Sequence, residues 1–554
     1  MFFRDGCSIR KWFAIPDGGL LYSKINIPEV LIDEDNFFAE KRISAMKRKS
    51  IYLSNGKTDE KEIFRNALIC TNVLSNLILT PIYLNYLGTD GYGFYQMIYA
   101  VASYILILDL GIGTTMVRFI SIYKEKKDKK GEEVFAFYSA VLVAIVSVFI
   151  IIVGLIVNCN LEHIYKTLTI NEFELGHRMF NLMIVVLVLT VWERFLEGLS
   201  MSCELFSIAK AISLFKLLFK FVSVILFLIG NLGVLSLVYA DIFSICIAIV
   251  LYLSLNIKKL HFKIKYHKGY AHVIKPMATF MCAILLQSIV SYLNNTVDKT
   301  ILGVMEGKVA TGIYSLAMTF ITAFNMFPTA ISNIFLPQAT KLVLHNSNRK
   351  DLTNFVIRPG RFQFMVCGGI LTGFILFGKD FITLWAKENV FEIWIISLII
   401  MIPNLITLVE NTVLTILDAK NKRMFRSIVM LGISGINIFL TIILIKLFGA
   451  IGAPIATSIS YFIGYIVIMN VYYDKIINID VVHMFKEIFK GITPCLLMAG
   501  GISLSLHILW NGVSVIKIII EGVIFVFSYG LLLFKWGMKK DERESLQRII
   551  RRSR

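Results

Sequence analysis

The sequence predicts an all-α integral membrane protein with about fourteen transmembrane helices, arranged as two parallel six-helix bundles followed by two C-terminal helices. Three observations lead to this class. Hydrophobic residues make up 56% of the 554 positions, and the mean hydropathy is +0.72; soluble domains are ~45–50% apolar, so cores alone do not account for the excess. Apolar runs of ~20 residues, the length that crosses ~30 Å of hydrocarbon, recur from residue 65 onward. The connections between runs alternate between basic and almost uncharged, the pattern of loops on opposite sides of a membrane.

Residues 1–60 are mixed and charged and lack an apolar core with a small-residue cleavage site, so no signal peptide is predicted. Residues 1–45 are expected to be a disordered extension, or to lie upstream of a start at Met46. Runs at 65–87, 92–121, 134–158, 179–201, 205–229 and 232–256 form a first bundle over 61–256. A connection over 257–276 interleaves aromatic and basic residues and reads as an amphipathic interfacial helix. A second bundle over 277–474 holds runs at 277–302, 311–337, 355–377, 391–416, 424–447 and 451–473. Pro403 interrupts the tenth run, whose freed backbone groups need partners on neighbouring helices. Runs at 486–510 and 513–536 make two additional helices over 475–536, and a basic tail spans 537–554.

Orientation follows from charge. The net charge of +18 rests on only 17% charged residues, gathered in alternate connections. One set holds Lys124, Lys126, Lys127, Lys129 and Lys130; then Lys258, Lys259, Lys263, Lys265, Lys268 and Lys275; then Lys341, Arg349, Lys350, Arg358 and Arg361; then Lys420, Lys422, Arg423 and Arg426; and the tail. The opposite set, "LGTDGY", "IGNLG" and "GVMEGKVA", carries a single lysine. Basic loops stay on the cytoplasmic side, so an even helix number with both termini cytoplasmic is expected.

One sequence offset links the halves. Gly93 and Tyr95 in "YGFYQM" map onto Gly312 and Tyr314 in "TGIYSL" with a shift of 219. The same shift maps Phe206 onto Phe425, and Gly230 and Gly233 onto Gly449 and Gly452. A repeat of six helices is even, so both copies enter the membrane from the same side and form parallel bundles with a site between them.

The stretch "LTPIYLNYLGTDGYGFYQMIYAVASYILILDLGIGTTMVRF" resembles the first two helices of polysaccharide flippases of the Wzx-type, polysaccharide-transporter family. "DKTILGVMEGKVATGIYSLAMTF" is similar to that family's seventh-to-eighth junction, and "ILDAKNKRMFRSIVMLGISGINIFLTIILIKLFGAIGAPIATSIS" to its tenth-to-twelfth region. The resemblance covers roughly residues 60–480. It implies membership of the multidrug/oligosaccharidyl-lipid/polysaccharide exporter superfamily. It also implies transfer of a lipid-diphosphate-linked oligosaccharide between leaflets of a bacterial cytoplasmic membrane, for surface-polysaccharide (O-antigen-type) assembly. Membrane lipids and the glycosyltransferases and polymerase of the same pathway are the implied partners.

Ionisable residues inside the runs are candidates for function, because each costs ~2.5–3.5 kcal/mol on insertion scales unless it snorkels. Lys216 and Lys220 lie four apart on one helix face, roughly 15–20 Å from the cytoplasmic start of the fifth run at 1.5 Å per residue. They are expected to offer two ammonium groups to a diphosphate in a wet cavity. Arg118, near the cytoplasmic end of the second run, serves either there or as a headgroup-level anchor. Arg194 is expected beside Glu193 and Glu197. Asp109 lies roughly 14 Å deeper than Arg118, on the opposite face, and is expected to be protonated or paired with a base from another helix. Asp109, Glu410 and Asp298 are the candidates for a coupling ion. Asn72, Asn76, Tyr83 and Tyr95 are candidates for contact with sugar.

Other chemistry lacks its residues. There is no Gly-rich loop before Lys-Ser/Thr, no HExxH, and no CxxC among eight cysteines; no catalytic residue, metal or cofactor is expected, nor a nucleic-acid partner. No connection is long enough for a catalytic domain, so a membrane glycosyltransferase or polymerase is disfavoured. Two rivals remain. An ion-coupled drug or cation exporter of the same superfamily needs an acidic, aromatic cavity, and a peptidoglycan lipid-precursor flippase shares the diphosphate.

Overall fold

The computed structural model describes residues 60–544 except 258–263, 271–272, 345–347, 421 and 511. The expectations for residues 1–45 and for the end of the tail lie outside them. Among the described residues there is no strand. Among the described residues twelve runs are long and apolar enough to cross a membrane. Two of these, Ser75–Glu125 and Phe425–Ile477, are 51 and 53 residues long, and each covers two of the runs expected from sequence. The chain is thus an all-α membrane protein.

Contacts divide it into two compact units, the first ending at Gly312 and the second beginning at Ile313. The first contains α1 (Glu60–Ile105), α2 (Ile112–Glu125), α3 (Lys129–Cys159), α4 (Ile170–Ser202), α5 (Phe206–Ile229), α6 (Leu235–Leu255) and α7 (Ile274–Met305). Helix α8 (Lys308–Leu344) crosses the boundary. The second contains α9 (Arg349–Trp385), α10 (Val390–Val409), α11 (Arg423–Phe448), α12 (Gly452–Tyr461), α13 (Val481–Phe489), α14 (Ile492–Leu509) and α15 (Val515–Leu532). The connection expected over 257–276 falls partly outside the described residues; within it, 264–270 is not helical.

The 219-residue shift reappears in the helix boundaries. Helices α3 to α6 start at Lys129, Ile170, Phe206 and Leu235; α9 to α12 start at Arg349, Val390, Arg423 and Gly452, 217 to 220 residues later. Gly88 and Gly307, another pair 219 apart, both have left-handed φ, 67° and 87°. Gly93 and Gly312 lie against one another. A Cβ on Gly93 would meet the carbonyl of Lys308, and one on Gly312 would stand 2.8 Å from the carbonyl of Thr89. Thr89 and Lys308 are also 219 apart, so this crossing of α1 and α8 is symmetric under the offset. Only residues without a side chain let two backbones approach so closely. Ion pairs from Lys308 to Asp90 and Glu172 close over the same end.

Two interruptions fall at candidate residues. The second expected run does not continue as one helix: after Ile105 it tightens to a 3₁₀ turn, Leu106–Asp109, and Leu110 and Gly111 turn left-handed before α2 begins. In the second unit α10 runs through Pro403 to Val409, and the chain breaks at Glu410 before the short helix Val413–Ala419.

The C-terminal helices pack on α9, in a core that includes Val356, Phe364, Met484, Ile488, Cys495 and Phe525. Arg361, counted above among cytoplasmic loop charges, is instead inside this core, with 1% of its side chain exposed. Its Nε donates to Glu542 Oε1 at 2.7 Å. Its Nη atoms donate to the carbonyls of Glu487, Lys490 and Gly537 at 2.7–2.9 Å. These carbonyls sit at helix ends, where the backbone has no partner of its own, so one guanidinium closes two helix termini.

Candidate functional site: a ribbon of ion pairs in the first unit

Four bases and four acids meet inside the first unit. Arg194 on α4 is bonded to Asp109. Lys216 Nζ on α5 lies 2.6 Å from Glu193 Oε2. Lys220 is bonded to Asp241 on α6, and Lys210 Nζ lies 3.1 Å from Glu197 Oε1. The broken helix after Ile105 brings Asp109 within reach. Gly113 and Gly198 do the rest: a Cβ on Gly198 would stand 2.8 Å from the Gly113 Cα. With α2 and α4 that close, Arg194, one turn before Gly198, meets the carboxylate. Asp109 is therefore paired with a base from another helix, one of the two states expected. Arg194 uses that partner and not its own neighbours in sequence.

The face shared by Lys216 and Lys220 is real, but the two ammonium groups are not free. One turns to α4 and the other to α6, and each bonds to a carboxylate of its own unit. With eight charges in four pairs, the surplus of positive charge expected from sequence is cancelled. Asp241 is not announced by the sequence: a lone acid in "VYADI" has no sequence neighbour to advertise a partner.

The pairs share a polarity. In every one the base is more exposed than the acid; Arg194 is 42% exposed against 9% for Asp109. Lys220 keeps 30% of its side chain accessible against 17% for Asp241. The accessible ends of the ribbon are therefore guanidinium and ammonium, with carboxylates behind them.

Aromatic rings flank the ribbon. Tyr95 stacks on Tyr99 with ring centroids 5.8 Å apart, and its hydroxyl lies 3.5 Å from Asp241 Oδ2. Tyr83 stacks on Tyr92 at 6.1 Å. Tyr99 is within electrostatic reach of Lys220, Asp241 and Arg194, and so lies between two of the four pairs. Tyr252 Oη lies 3.4 Å from Ser213 Oγ beside Glu197.

The remaining candidates lie elsewhere. Arg118 places its guanidinium 4.5 Å from the centroid of Phe280 and 5.8 Å from that of Phe119, a cation–π clasp apart from the four pairs. Asn76 is exposed; the side chain of Asn72 lies outside the described residues. Asp298 is buried on α7, where the next residue, Lys299, lies 3.4 Å from Gln96 Oε1. Glu410 is in the second unit, buried at the break after α10, and accepts from Asn470 Nδ2 at 2.7 Å.

Known proteins resemble the chain in sequence and in fold. Over 270 residues the chain is 24% identical to a probable flippase, AglR, of Haloferax volcanii; the match takes in 46% of this chain and 53% of the relative. The chain thus spans about half the length of that curated relative. The fold is similar to a lipid II flippase, MurJ, in an inward closed conformation, with TM-score 0.65, 14% identity, and 85% of this chain and 97% of the other covered. It is also similar to an inward-facing multidrug resistance MATE family transporter of the MOP superfamily, with TM-score 0.61, 13% identity, and 77% and 99% covered. A model of a family described as polysaccharide biosynthesis protein matches residues 61–343, just over half of the chain. The protein belongs to the polysaccharide biosynthesis protein family.

Proposed function

We propose that the protein is a flippase, a transporter and not an enzyme, that moves a lipid-diphosphate-linked oligosaccharide across the cytoplasmic membrane for surface-polysaccharide assembly by alternating access. The observation that carries this reading is the polarity of the four ion pairs. Their accessible ends are cationic, so an anion approaching the ribbon meets Arg194, Lys216 and Lys220 before it meets any carboxylate. A diphosphate accepts several charge-assisted hydrogen bonds at once, and a guanidinium beside two ammonium groups is a suitable donor set. The stacked tyrosines offer flat faces of the kind on which sugar rings pack. The lipid tail remains in the bilayer.

Laid out as unbroken helix, each of the two longest runs would measure roughly 75–80 Å at 1.5 Å per residue, more than twice the hydrocarbon thickness. We take each to cross twice, which gives fourteen crossings with both termini in the cytoplasm. Asp109 and Glu410, each at a broken helix, and Asp298 are the sites proposed for a coupling ion; broken helices favour ion sites because their freed backbone groups line cavities. A membrane potential adds ~2.3 kcal/mol per charge per 100 mV.

The test is an exchange of charge within one pair. Lys220→Asp combined with Asp241→Lys keeps the ion pair but puts the carboxylate at the accessible end. In vesicles containing a fluorescent lipid-linked oligosaccharide, the exchanged protein is expected to translocate at least about tenfold more slowly, equivalent to ~1.4 kcal/mol. An unchanged rate with normal folding would remove the anion-binding reading. A cation exporter is disfavoured by the same polarity, since its cargo would face like charge; with vesicles carrying a peptidoglycan precursor instead, the assay separates the second rival.

A further inference from the structure

We propose that Asp380, His507, Lys517 and Glu521 form a proton-binding site that fastens the last two helices of the chain to α9 while His507 carries its second proton. The four residues come from three helices: Asp380 near the end of α9, His507 near the end of α14, and Lys517 and Glu521 in the first two turns of α15. They lie in the second unit and take no part in the ribbon described above.

The geometry around the imidazole carries the argument. His507 Nδ1 lies 3.1 Å from Glu521 Oε2, and Nε2 lies 4.0 Å from Asp380 Oδ2. Both ring nitrogens thus face carboxylates, and an ionised carboxylate only accepts hydrogen bonds. A neutral imidazole has one N–H and one lone pair, so one of its nitrogens would point a lone pair at negative oxygen. The doubly protonated ring has an N–H for each side.

Charge counting leads to the same state. Lys517 Nζ lies 3.3 Å from Asp380 Oδ2 and 3.9 Å from Glu521 Oε1. Among the described residues no other charged group pairs with these four. With a neutral imidazole the cluster holds two negative charges and one positive; with the imidazolium it balances. Imbalance is expensive here, because Glu521 is 1% exposed and its Oε1 receives no hydrogen bond, and an uncompensated buried charge is strongly destabilising. Phe377 on α9 presents its ring edge-on to the imidazole at 5.9 Å, so apolar surface closes off one side.

The chemistry is one protonation: a solvent proton adds to the second imidazole nitrogen, and no other bond changes. As pH rises the proton leaves, a net negative charge stays trapped between three helices, and α14 and α15 loosen from α9. On the topology proposed above, this end of the helices faces the outer aqueous phase, so the site responds to acidity there.

The experiment uses the full chain in detergent micelles, with amide hydrogen exchange followed at about pH 5.5 and about pH 8.5 and corrected for intrinsic exchange. In the unaltered protein, protection of α14 and α15 is expected to fall at least about fivefold at the higher pH, with α5 and α6 unaffected. His507→Gln should show the low protection at both values. Adding Glu521→Gln restores neutrality without a proton, so the double variant should be well protected and indifferent to pH. If His507→Gln keeps the fall with pH, or if the unaltered protein shows none, the proposal is overturned.

Discussion

Asp241 sets what the Lys220 ammonium does. A lysine deep in a hydrocarbon-spanning segment has to be neutral, hydrated or paired, and here it is paired by a carboxylate one helix away. Removing one partner leaves the other charge uncompensated, which costs ~3–5 kcal/mol for fully buried pairs and less where, as here, the base keeps some exposure. Lys220→Met is therefore expected to lower the thermal midpoint of the detergent-solubilised protein clearly. Lys220→Met with Asp241→Asn should recover most of the loss while translocation stays slow. Equal midpoints for the single and double variants would mean that the pair has no structural weight. At this scale the sequence was half legible. Spacing announced that Lys216 and Lys220 share a face, since four residues are close to one helical turn. The acid that answers each lysine depends on which helices pack together, and residue spacing within one helix carries no such information.

Among the elements, the crossing of α1 and α8 has the least tolerance. Gly93→Ala or Gly312→Ala puts a methyl group into a backbone carbonyl, and overpacking of this kind costs ~1–3 kcal/mol. Either change should lower the thermal midpoint. Gly432→Ala on α11, where no heavy atom lies within 4 Å of the new carbon, should be neutral or slightly stabilising because alanine favours helix by ~1 kcal/mol. A midpoint for Gly93→Ala no lower than that of Gly432→Ala would contradict the close approach. Helices as a class were plain from hydropathy, and the shared offset of Gly93 and Gly312 was visible as a repeat. That the two glycines touch was not, because a repeat gives equivalence and no distance. The helix break at Leu106–Gly111 was also hidden: "LILDLGIG" is as apolar as an unbroken span, and only the left-handed Leu110 and Gly111 reveal the stop.

For the molecule as a whole, Arg361 shows where charge counting misleads. It follows Arg349, Lys350 and Arg358 and reads as one more cytoplasmic loop charge, but α9 has already begun at Arg349, and the guanidinium faces α13 and the segment after α15. Arg361→Met is expected to cost ~3–5 kcal/mol by stranding Glu542 and three carbonyls, whereas Arg361→Met with Glu542→Met should be milder. Guanidine or thermal unfolding of the two variants checks the order; identical losses would show that Glu542 contributes nothing to the clamp.

Every group that satisfies Arg361 lies at residue 487 or later, so during synthesis the guanidinium emerges from the ribosome well ahead of its acceptors. From Arg361 to Trp385 is roughly 36 Å of helix at 1.5 Å per residue, enough to cross the bilayer while the arginine waits among lipid headgroups. Its withdrawal from that layer marks the arrival of the final hairpin, and chains terminated prematurely before residue 487 should leave it open to reagents that modify arginine.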